Sequence, residues 1–367
     1  MRLGRGVAGS RRPTRSTRGA LRRAGMGADS RMRRLDLRRL ERLIDAFSRV
    51  RLLVIGDLVL DEYVWGEVER VSPEAPVPVV HVREETVMLG GAANAARNVV
   101  ALGGSVECCS VVGDDAAGRR LIELLADLGV SPDGIVAIPG RPTTRKTRVV
   151  ARSQQIVRFD RETAEAPPPA ASRRLLAAIE AALPRVAGAI CEDYGKGVLS
   201  RRVAAAAMRS CLAAGVPVAV DPKVDLAPWK GAALLKPNLR EAESLSGVAI
   251  RNREDLSRAA ARLRRRIGGG ALVVTRGSEG MSIFEEAGPG IDVPAAAREV
   301  FDVQGAGDTA IAALTLALRA GASLVEAAVI ANAAAAVVVA KVGTATASAE
   351  ELKQLLPEAI RAARGER

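Results

Sequence analysis

In residues 301–309, FDVQGAGDT, three small residues (Gly305, Ala306 and Gly307) stand directly before an acid, Asp308. Just downstream, IAALTLALRAG (311–321) forms an apolar run of helical length, so the Gly-Ala-Gly lies where a loop becomes a helix. The first turn of a helix carries N–H groups with no internal partner, and residues without bulky side chains let an oxygen-rich anion approach them closely. Asp308 then stands beside the anion. A carboxylate there is electrostatically poor for binding but well suited to taking a proton from an attacking hydroxyl. An ordinary Gly-rich turn with an acidic helix-start residue has the same spacing, and the rest of the chain has to choose between the two readings.

Outward from that turn, near-continuous apolar runs of strand length recur: RLLVIG (51–56), VECCSVVG (106–113), GAIC (188–191), VPVAVD (216–221), AALLKP (232–237) and ALVVT (271–275). Ala/Leu/Arg-rich helical segments separate most of them. The pattern predicts an α/β fold in one dominant domain, with a parallel sheet covered on both faces. Two stretches differ. YVWGEVER with VPVVHVR (63–83), and TTRKTRVVARSQQIVRFD (143–160), alternate apolar and polar residues and predict a small antiparallel sheet outside the main one, a lid over a site. APPPAAS (166–172) reads as a connector.

Ligands of such sheets collect at the carboxyl edge of the strands. The polar residues that follow the strands are therefore candidates: Asp57, Asp61, Asp193, Asp221, Lys223, Asn238, Glu241, Arg276 and Gly277. Each alone reads as a cap or a turn residue. Converging on one edge, acids and loop amides suit Mg²⁺ and phosphate groups.

The chain has 367 residues, enough for a large core, and with aromatics at 2% that core must be built from Ala, Val, Leu and Ile. Formal net charge is +12, which by itself points to nucleic acid or an anionic membrane. Its location changes that inference: residues 1–35 hold 11 Arg and one acid, and the remainder is close to charge-balanced. This tail has no hydrophobic periodicity and is expected to be disordered, with the folded domain at 36–367. It reads as an upstream extension before a start at Met26 or Met32, as a nucleic-acid-touching arm, or as a transit peptide. The run AAVIANAAAAVVVAKVG is mostly Ala, carries Asn332 and suits a buried helix better than a bilayer. Cys108, Cys109, Cys191 and Cys211 make no C-x-x-C pair and read as reduced core thiols of a cytoplasmic protein. His81 is the sole histidine, which argues against a histidine-based zinc site or a Ser-His-Asp triad.

With GGAANAARNVVALGG (90–104), GDDAAG (113–118), NLREAE (238–243), TRGSEG (275–280) and GAGDT (305–309) in order, the chain resembles the ribokinase-like (PfkB) carbohydrate kinases over about residues 45–355. There is no G-x-x-x-x-G-K-[ST] loop, so a P-loop kinase is not the alternative. Within the family, GDLVLDEYVWGEVERVSPEAPVPVV (56–80), the 143–160 stretch, DYGKGVLS (193–200) and VDPKVDLAPWKGAALLKPN (220–238) are similar to the D-glycero-β-D-manno-heptose 7-phosphate kinases, the kinase half of the bifunctional heptose kinase/adenylyltransferases.

The resemblance implies a three-layer α/β/α fold with a mostly parallel central sheet and a β-strand lid from about 61–83 and 143–160. It implies Asp308 as catalytic base for an anomeric hydroxyl and the amides of Gly305, Ala306 and Gly307 as an anion hole. ATP is expected on Asn238, Leu239, Arg240, Glu241, Arg276, Gly277, Ser278, Gly280 and Asn332, with Mg²⁺ ordered through water by Glu241 and Asp193. The sugar is expected on Asp57, Asp61, Gly90, Gly91 and Asn94, whose groups suit vicinal hydroxyls. Lys146, Arg148 and Arg158 are the candidates for its phosphate, because a dianion calls for guanidinium or ammonium groups. Two departures stand out: Gln304 replaces the usual Thr near a monovalent-cation site that involves Asp302 in relatives, leaving potassium activation open, and Glu192 replaces a small residue before Asp193.

The implied activity is ATP-dependent phosphorylation of the heptose phosphate to the 1,7-bisphosphate in ADP-heptose synthesis, for the lipopolysaccharide core. A homodimer through the lid is expected, with a separate phosphatase and nucleotidyltransferase completing the pathway. A kinase of the same fold acting on another sugar is the nearest alternative; a non-catalytic nucleic-acid-binding protein using the basic tail is the distant one.

Overall fold

The computed structural model describes residues 28–366 apart from 153, 286, 287, 297–299 and 342. Thirteen strands run in chain order as β1 (Arg51–Gly56), β2 (Leu58–Val71), β3 (Pro78–Gly91), β4 (Ser105–Gly113), β5 (Ile135–Ile138), β6 (Arg145–Ala151), β7 (Gln154–Arg161), β8 (Gly188–Glu192), β9 (Val218–Asp221), β10 (Leu234–Leu235), β11 (Ala271–Thr275), β12 (Met281–Phe284) and β13 (Ile291–Val293). The helices of the described residues are α1 (Ala28–Arg33), α2 (Leu37–Asp45), α3 (Ala92–Ala101), α4 (Ala116–Asp127), α5 (Pro169–Ala182), α6 (Arg201–Ala213), α7 (Leu239–Ser246), α8 (Arg253–Ile267), α9 (Ala306–Arg319), α10 (Leu324–Val339) and α11 (Ala349–Arg364).

Nine strands form the main sheet in the order β13-β12-β11-β10-β9-β8-β1-β4-β5. From β11 to β5 every pairing is parallel, and β12 and β13 close one edge as antiparallel strands. Because successive side chains point to opposite faces, a strand buried on both sides feeds two cores. β1 shows it: Leu52 and Val54 enter a core shared with α2, α3, α4, α9, α10 and α11, while Leu53 and Ile55 enter one shared with α5, α6, α7 and α8. This is the α/β/α sandwich that the apolar runs predict. Each fully buried Leu or Ile contributes roughly 1.5–3 kcal/mol.

Four strands form a second sheet, ordered β3-β2-β6-β7. The alternating stretches do make this lid, with two corrections. It is mixed and not purely antiparallel, since β2 and β6 run parallel, Leu60 to Gly66 against Arg145 to Ala151. Its first hairpin also extends beyond 61–83, because β2 starts just past β1 and β3 ends at the first turn of α3, so the lid is rooted in the core.

Other expectations change too. AALLKP keeps only Leu234–Leu235 as strand, and β5, β12 and β13 are additional strands, too short to show a period of their own. The tail does not run disordered to residue 35: α1 is helical, and Met32 and Leu35 are buried against the core. Residues 1–27, with most of the Arg-rich segment, lie outside the described residues. Among the described residues no helix is long and apolar enough to cross a membrane. The four cysteines are free and buried.

Candidate active site

Parallel packing brings the carboxyl ends of β1, β8, β9 and β10 to one edge, and α9 starts above them, packed across β8 and β9. Gly305 precedes α9 with φ +77, a left-handed conformation that glycine adopts without strain. A Cβ there would also stand 2.8 Å from Asn94 Nδ2. The helix ladder begins with the Thr309 N–H donating to Gly305 O at 2.9 Å, so the N–H groups without an intrahelical acceptor are those of Ala306, which makes a long contact to Val303 O at 3.4 Å, Gly307 and Asp308. They lie one residue along from the expected set of Gly305, Ala306 and Gly307.

Asp308 is buried, and both its oxygens are held: Asn94 Nδ2 donates to Oδ2 at 2.7 Å, and the Tyr194 hydroxyl donates to Oδ1. Asn94 is fixed in turn by Asn98, whose Oδ1 accepts from Thr309 Oγ1 at 2.7 Å. Burial lifts the Asp308 pKa to about 6, against the lowering effect of the Tyr194 and Asn94 donors, with the Asp221 charge adding to the rise. A carboxylate so held is ionised at neutral pH yet more basic than an ordinary aspartate.

Lys236, after β10, is buried and pairs with Asp221 at 2.8 Å. Its ammonium lies at the anion-hole turn, since a Cβ on Gly307 would stand 3.6 Å from Nζ. Burial alone would push this lysine down, but its ion pair with Asp221 holds it above its usual value, so it stays charged. Glu192 is fully buried with both carboxylate oxygens unpartnered, and burial beside Asp221 and Asp308 raises it well above the usual range. Burial and the neighbouring acids thus disfavour the charged form of the acid noted before Asp193. Asp193 Oδ1 accepts from the Gly195 N–H at 2.9 Å, and burial raises its pKa to about 6.

Several predicted ligands have other work. Asp57 accepts from the backbone N–H groups of Tyr194, Lys196 and Val198 at 2.9, 3.1 and 3.0 Å. It anchors the 193–198 loop, and so presents Tyr194 to Asp308, instead of meeting sugar hydroxyls. Arg148 is buried and ion-paired with Asp61 at 2.6 Å, which removes it as a free cation for the sugar's phosphate. Gly90 makes room for that pair, because a Cβ there would stand 2.2 Å from Asp61 Oδ2. Arg158 pairs with Asp160 at 3.0 Å on the exposed β7. Lys146 alone of the three has no ion-pair partner among the described residues; it is half-buried with its ammonium 5.8 Å from the centroid of the Tyr194 ring. Gly91 caps α3 beside them.

On the nucleotide side, Asn238 and Glu241 form a capping box on α7, and Glu241 Oε1 also accepts from Lys223 at 2.9 Å. Leu239 is half-buried, Arg240 exposed. Arg276 is turned inward onto Glu279 and Asp292, while Gly277 and Ser278 are exposed and Gly280 is buried. Asn332 is buried in α10 and donates to Pro294 O. Tyr194 and Lys236 carry the site but were not singled out from the sequence. DYGKGV and LLKPN contain the only signal, a polar residue just beyond a predicted strand.

Compared as a fold, the molecule matches Arabidopsis thaliana ribokinase with a TM-score of 0.67 at 22% identity, covering 84% of this chain and 98% of that one. It matches phosphofructokinase-2 from Escherichia coli with a TM-score of 0.69 at 22% identity and the same coverage. The architecture is ribokinase-like. The pfkB family carbohydrate kinase model matches residues 50–352, so the chain belongs to that family and is a sugar kinase. The bifunctional protein HldE of Pelobacter propionicus is 46% identical over 87% of this chain and 65% of that protein, and HldE of Geobacter sulfurreducens is likewise 46% identical, over 87% and 65%. The chain spans just under two thirds of the length of the curated relatives it matches.

Proposed function

We propose that the protein transfers the γ-phosphoryl group of Mg·ATP to the anomeric hydroxyl of D-glycero-β-D-manno-heptose 7-phosphate, giving the 1,7-bisphosphate. The observation that carries this reading is that Tyr194 gathers Asp308 and Lys146: its hydroxyl donates to the carboxylate that would serve as base, and the Lys146 ammonium, a cation for the sugar's own phosphate, lies 5.8 Å from its ring centroid. The likeness to the HldE proteins over most of this chain supports the heptose as the sugar.

Asp308 takes the hydroxyl proton as the oxygen attacks, helped by a basicity raised through burial. The N–H groups of Ala306, Gly307 and Asp308 and the Lys236 ammonium stabilise charge on the transferring group. Asn238, Glu241, Arg276, Gly277, Ser278, Gly280 and Asn332 bound the nucleotide side, and Asp61, Gly90, Gly91 and Asn94 bound the sugar side. Among the described residues no three acids close on one point, which fits a Mg²⁺ held mainly by phosphate oxygens and water, with Glu241 and Asp193 outside it. The bound Mg²⁺ supplies charge neutralisation on the phosphates. No monovalent-cation step is part of the proposal; both Asp302 oxygens accept backbone N–H groups, from Gln304 and Gly343.

We place the enzyme in the cytoplasm as a homodimer joined through the lid, whose Val82, Val87, Val157 and Phe159 are exposed apolar residues. A separate phosphatase and a nucleotidyltransferase would consume its product. The test is ATP consumption with Mg²⁺ against heptose 7-phosphate, fructose 6-phosphate, ribose and fructose. A kcat/KM for the heptose phosphate at least tenfold above the others is expected; turnover restricted to a different sugar would leave the base and the fold standing and discard the heptose.

A further inference from the structure

Gln304 departs from the resemblance, and its side chain has a partner that the proposed chemistry leaves unused. The Tyr63 hydroxyl, on lid strand β2, donates to Gln304 Oε1 at 2.7 Å. Tyr63 is held by two neighbours: its ring stacks on Trp65 with centroids 5.4 Å apart and planes 8° apart, and the Arg148 guanidinium lies 5.3 Å from its centroid. Trp65 is fixed by its Nε1 donating to Thr86 Oγ1 at 2.9 Å, and Arg148 is fixed by Asp61. The phenol therefore has little rotational freedom to lose on making its hydrogen bond, which favours the contact.

On the other side, the Gln304 N–H donates to Asp302 Oδ1 at 2.9 Å, and Asp302 Oδ2 accepts from the Gly343 N–H at 3.1 Å. Gln304 is bonded directly to Gly305, the left-handed residue that aims the next three N–H groups. A continuous chain of contacts thus runs from Asp61 through Arg148 and Tyr63 to Gln304 and the turn before Asp308. It leaves the lid at the residue expected to meet sugar hydroxyls and arrives where the transferring phosphoryl group is expected.

We infer that Tyr63 and Gln304 are a positioning pair that ties the anion-hole turn to the lid, so that the turn is held for phosphoryl transfer by the strand that contacts the sugar. Neither residue touches a reacting atom. The inference rests on the kinase reading for the identity of the turn, but the contact itself does not depend on which sugar is used. A side chain in place of Gln304 without an acceptor at that reach has nothing to offer Tyr63.

Two measurements on the full chain test it. In the first, amide hydrogen exchange over residues 303–310 is compared in the wild type, Tyr63→Phe and Gln304→Met; both substitutions keep side-chain size and remove one end of the bond. Exchange in this segment is expected to quicken at least threefold in each, with the remaining helices unchanged. In the second, kcat and KM are measured for both singles and for the double variant on whichever sugar the wild type phosphorylates best. Each single is expected to lower kcat by about five- to tenfold with KM for sugar and ATP within twofold, and the double to be no worse than either single. Unchanged exchange in both variants, losses that multiply in the double variant, or a loss confined to KM would each overturn the inference. If no sugar is phosphorylated at all, the functional proposal fails, and the exchange measurement still decides whether the pair holds the turn.

Discussion

The floor of the site and the lid above it use charge in opposite ways. On the floor, Asp308, Glu192, Asp221 and Lys236 are buried together; burial raises the pKa of each acid, and Asp221 keeps Lys236 raised against its own burial. In the lid, Asp61 with Arg148, Asp160 with Arg158 and Glu67 with Arg83 cancel in pairs, and β7 is exposed along its whole length. A buried acid cannot exchange its environment for water, so its pKa becomes a tool for catalysis. The solvent-facing pairs, Arg158 with Asp160 and Arg83 with Glu67, carry little energy and mainly fix geometry, while the buried Arg148–Asp61 pair fixes it from inside. On the proposed reading, the floor sets the chemistry and the lid, with Lys146 left over, chooses the acceptor.

The sharpest way to break this contrast is at Asp308. Asp308→Asn should bind ATP and lose turnover by about a thousandfold or more. The wild-type acid limb of kcat/KM should fall near pH 6, because the base works only when ionised and its pKa is raised to about 6. The sign for stability is opposite to that for activity. A raised folded pKa means that the native state holds the proton more tightly than the unfolded chain, so the contribution of Asp308 is full at low pH and is lost as pH rises through about 6. Asp308→Asn should accordingly melt higher than the wild type at pH 8, with the gain shrinking toward pH 5, as calorimetry would show. A variant with normal turnover would remove the base from the mechanism.

Lys236→Met comes next. It should lower kcat/KM for ATP by about a hundredfold, read in steady-state kinetics at saturating sugar, because a desolvated cation facing a phosphoryl group is worth several kcal/mol. On the lid, Lys146→Met should raise KM for a phosphorylated acceptor about tenfold and leave kcat within about twofold, so that preference over the unphosphorylated sugar collapses. Equal losses on both sugars would place Lys146 with the floor and blur the division. The smallest effect on catalysis is expected from Phe159→Asp on the exposed strand: the melting temperature should stay within about 2 °C, while light scattering should show the dimer dissociating.

Much of the fold was legible in the sequence because parallel strands buried on both faces must be apolar throughout, and six such runs stand out. The short edge strands β12 and β13 were not, since three or four residues carry too little pattern, and β10 kept only two residues of a longer apolar run. In the site, the turn at Gly305 to Asp308 was legible for a local reason: small residues before an acid at a helix start constrain the backbone whatever surrounds them. Asp57 was misread because nothing local says that three amides of a loop 137 to 141 positions away will claim its oxygens. Arg148 was misread in the same way, its partner Asp61 lying 87 positions away on the neighbouring strand.

By itself, then, the sequence determined the layers, the two-sided core, the family resemblance and the turn that ends in Asp308, all of which follow from periodicity and from backbone geometry within a few residues. Only the tertiary structure decided which charges are spent on one another and which stay available. That choice depends on which strand ends become neighbours and how deeply they are buried, and both are properties of the packed sheet. Tyr194 and Lys236 acquire their meaning from that packing, which places them at one sheet edge around a buried carboxylate, as does the Tyr63–Gln304 contact, which joins the lid to the turn before it.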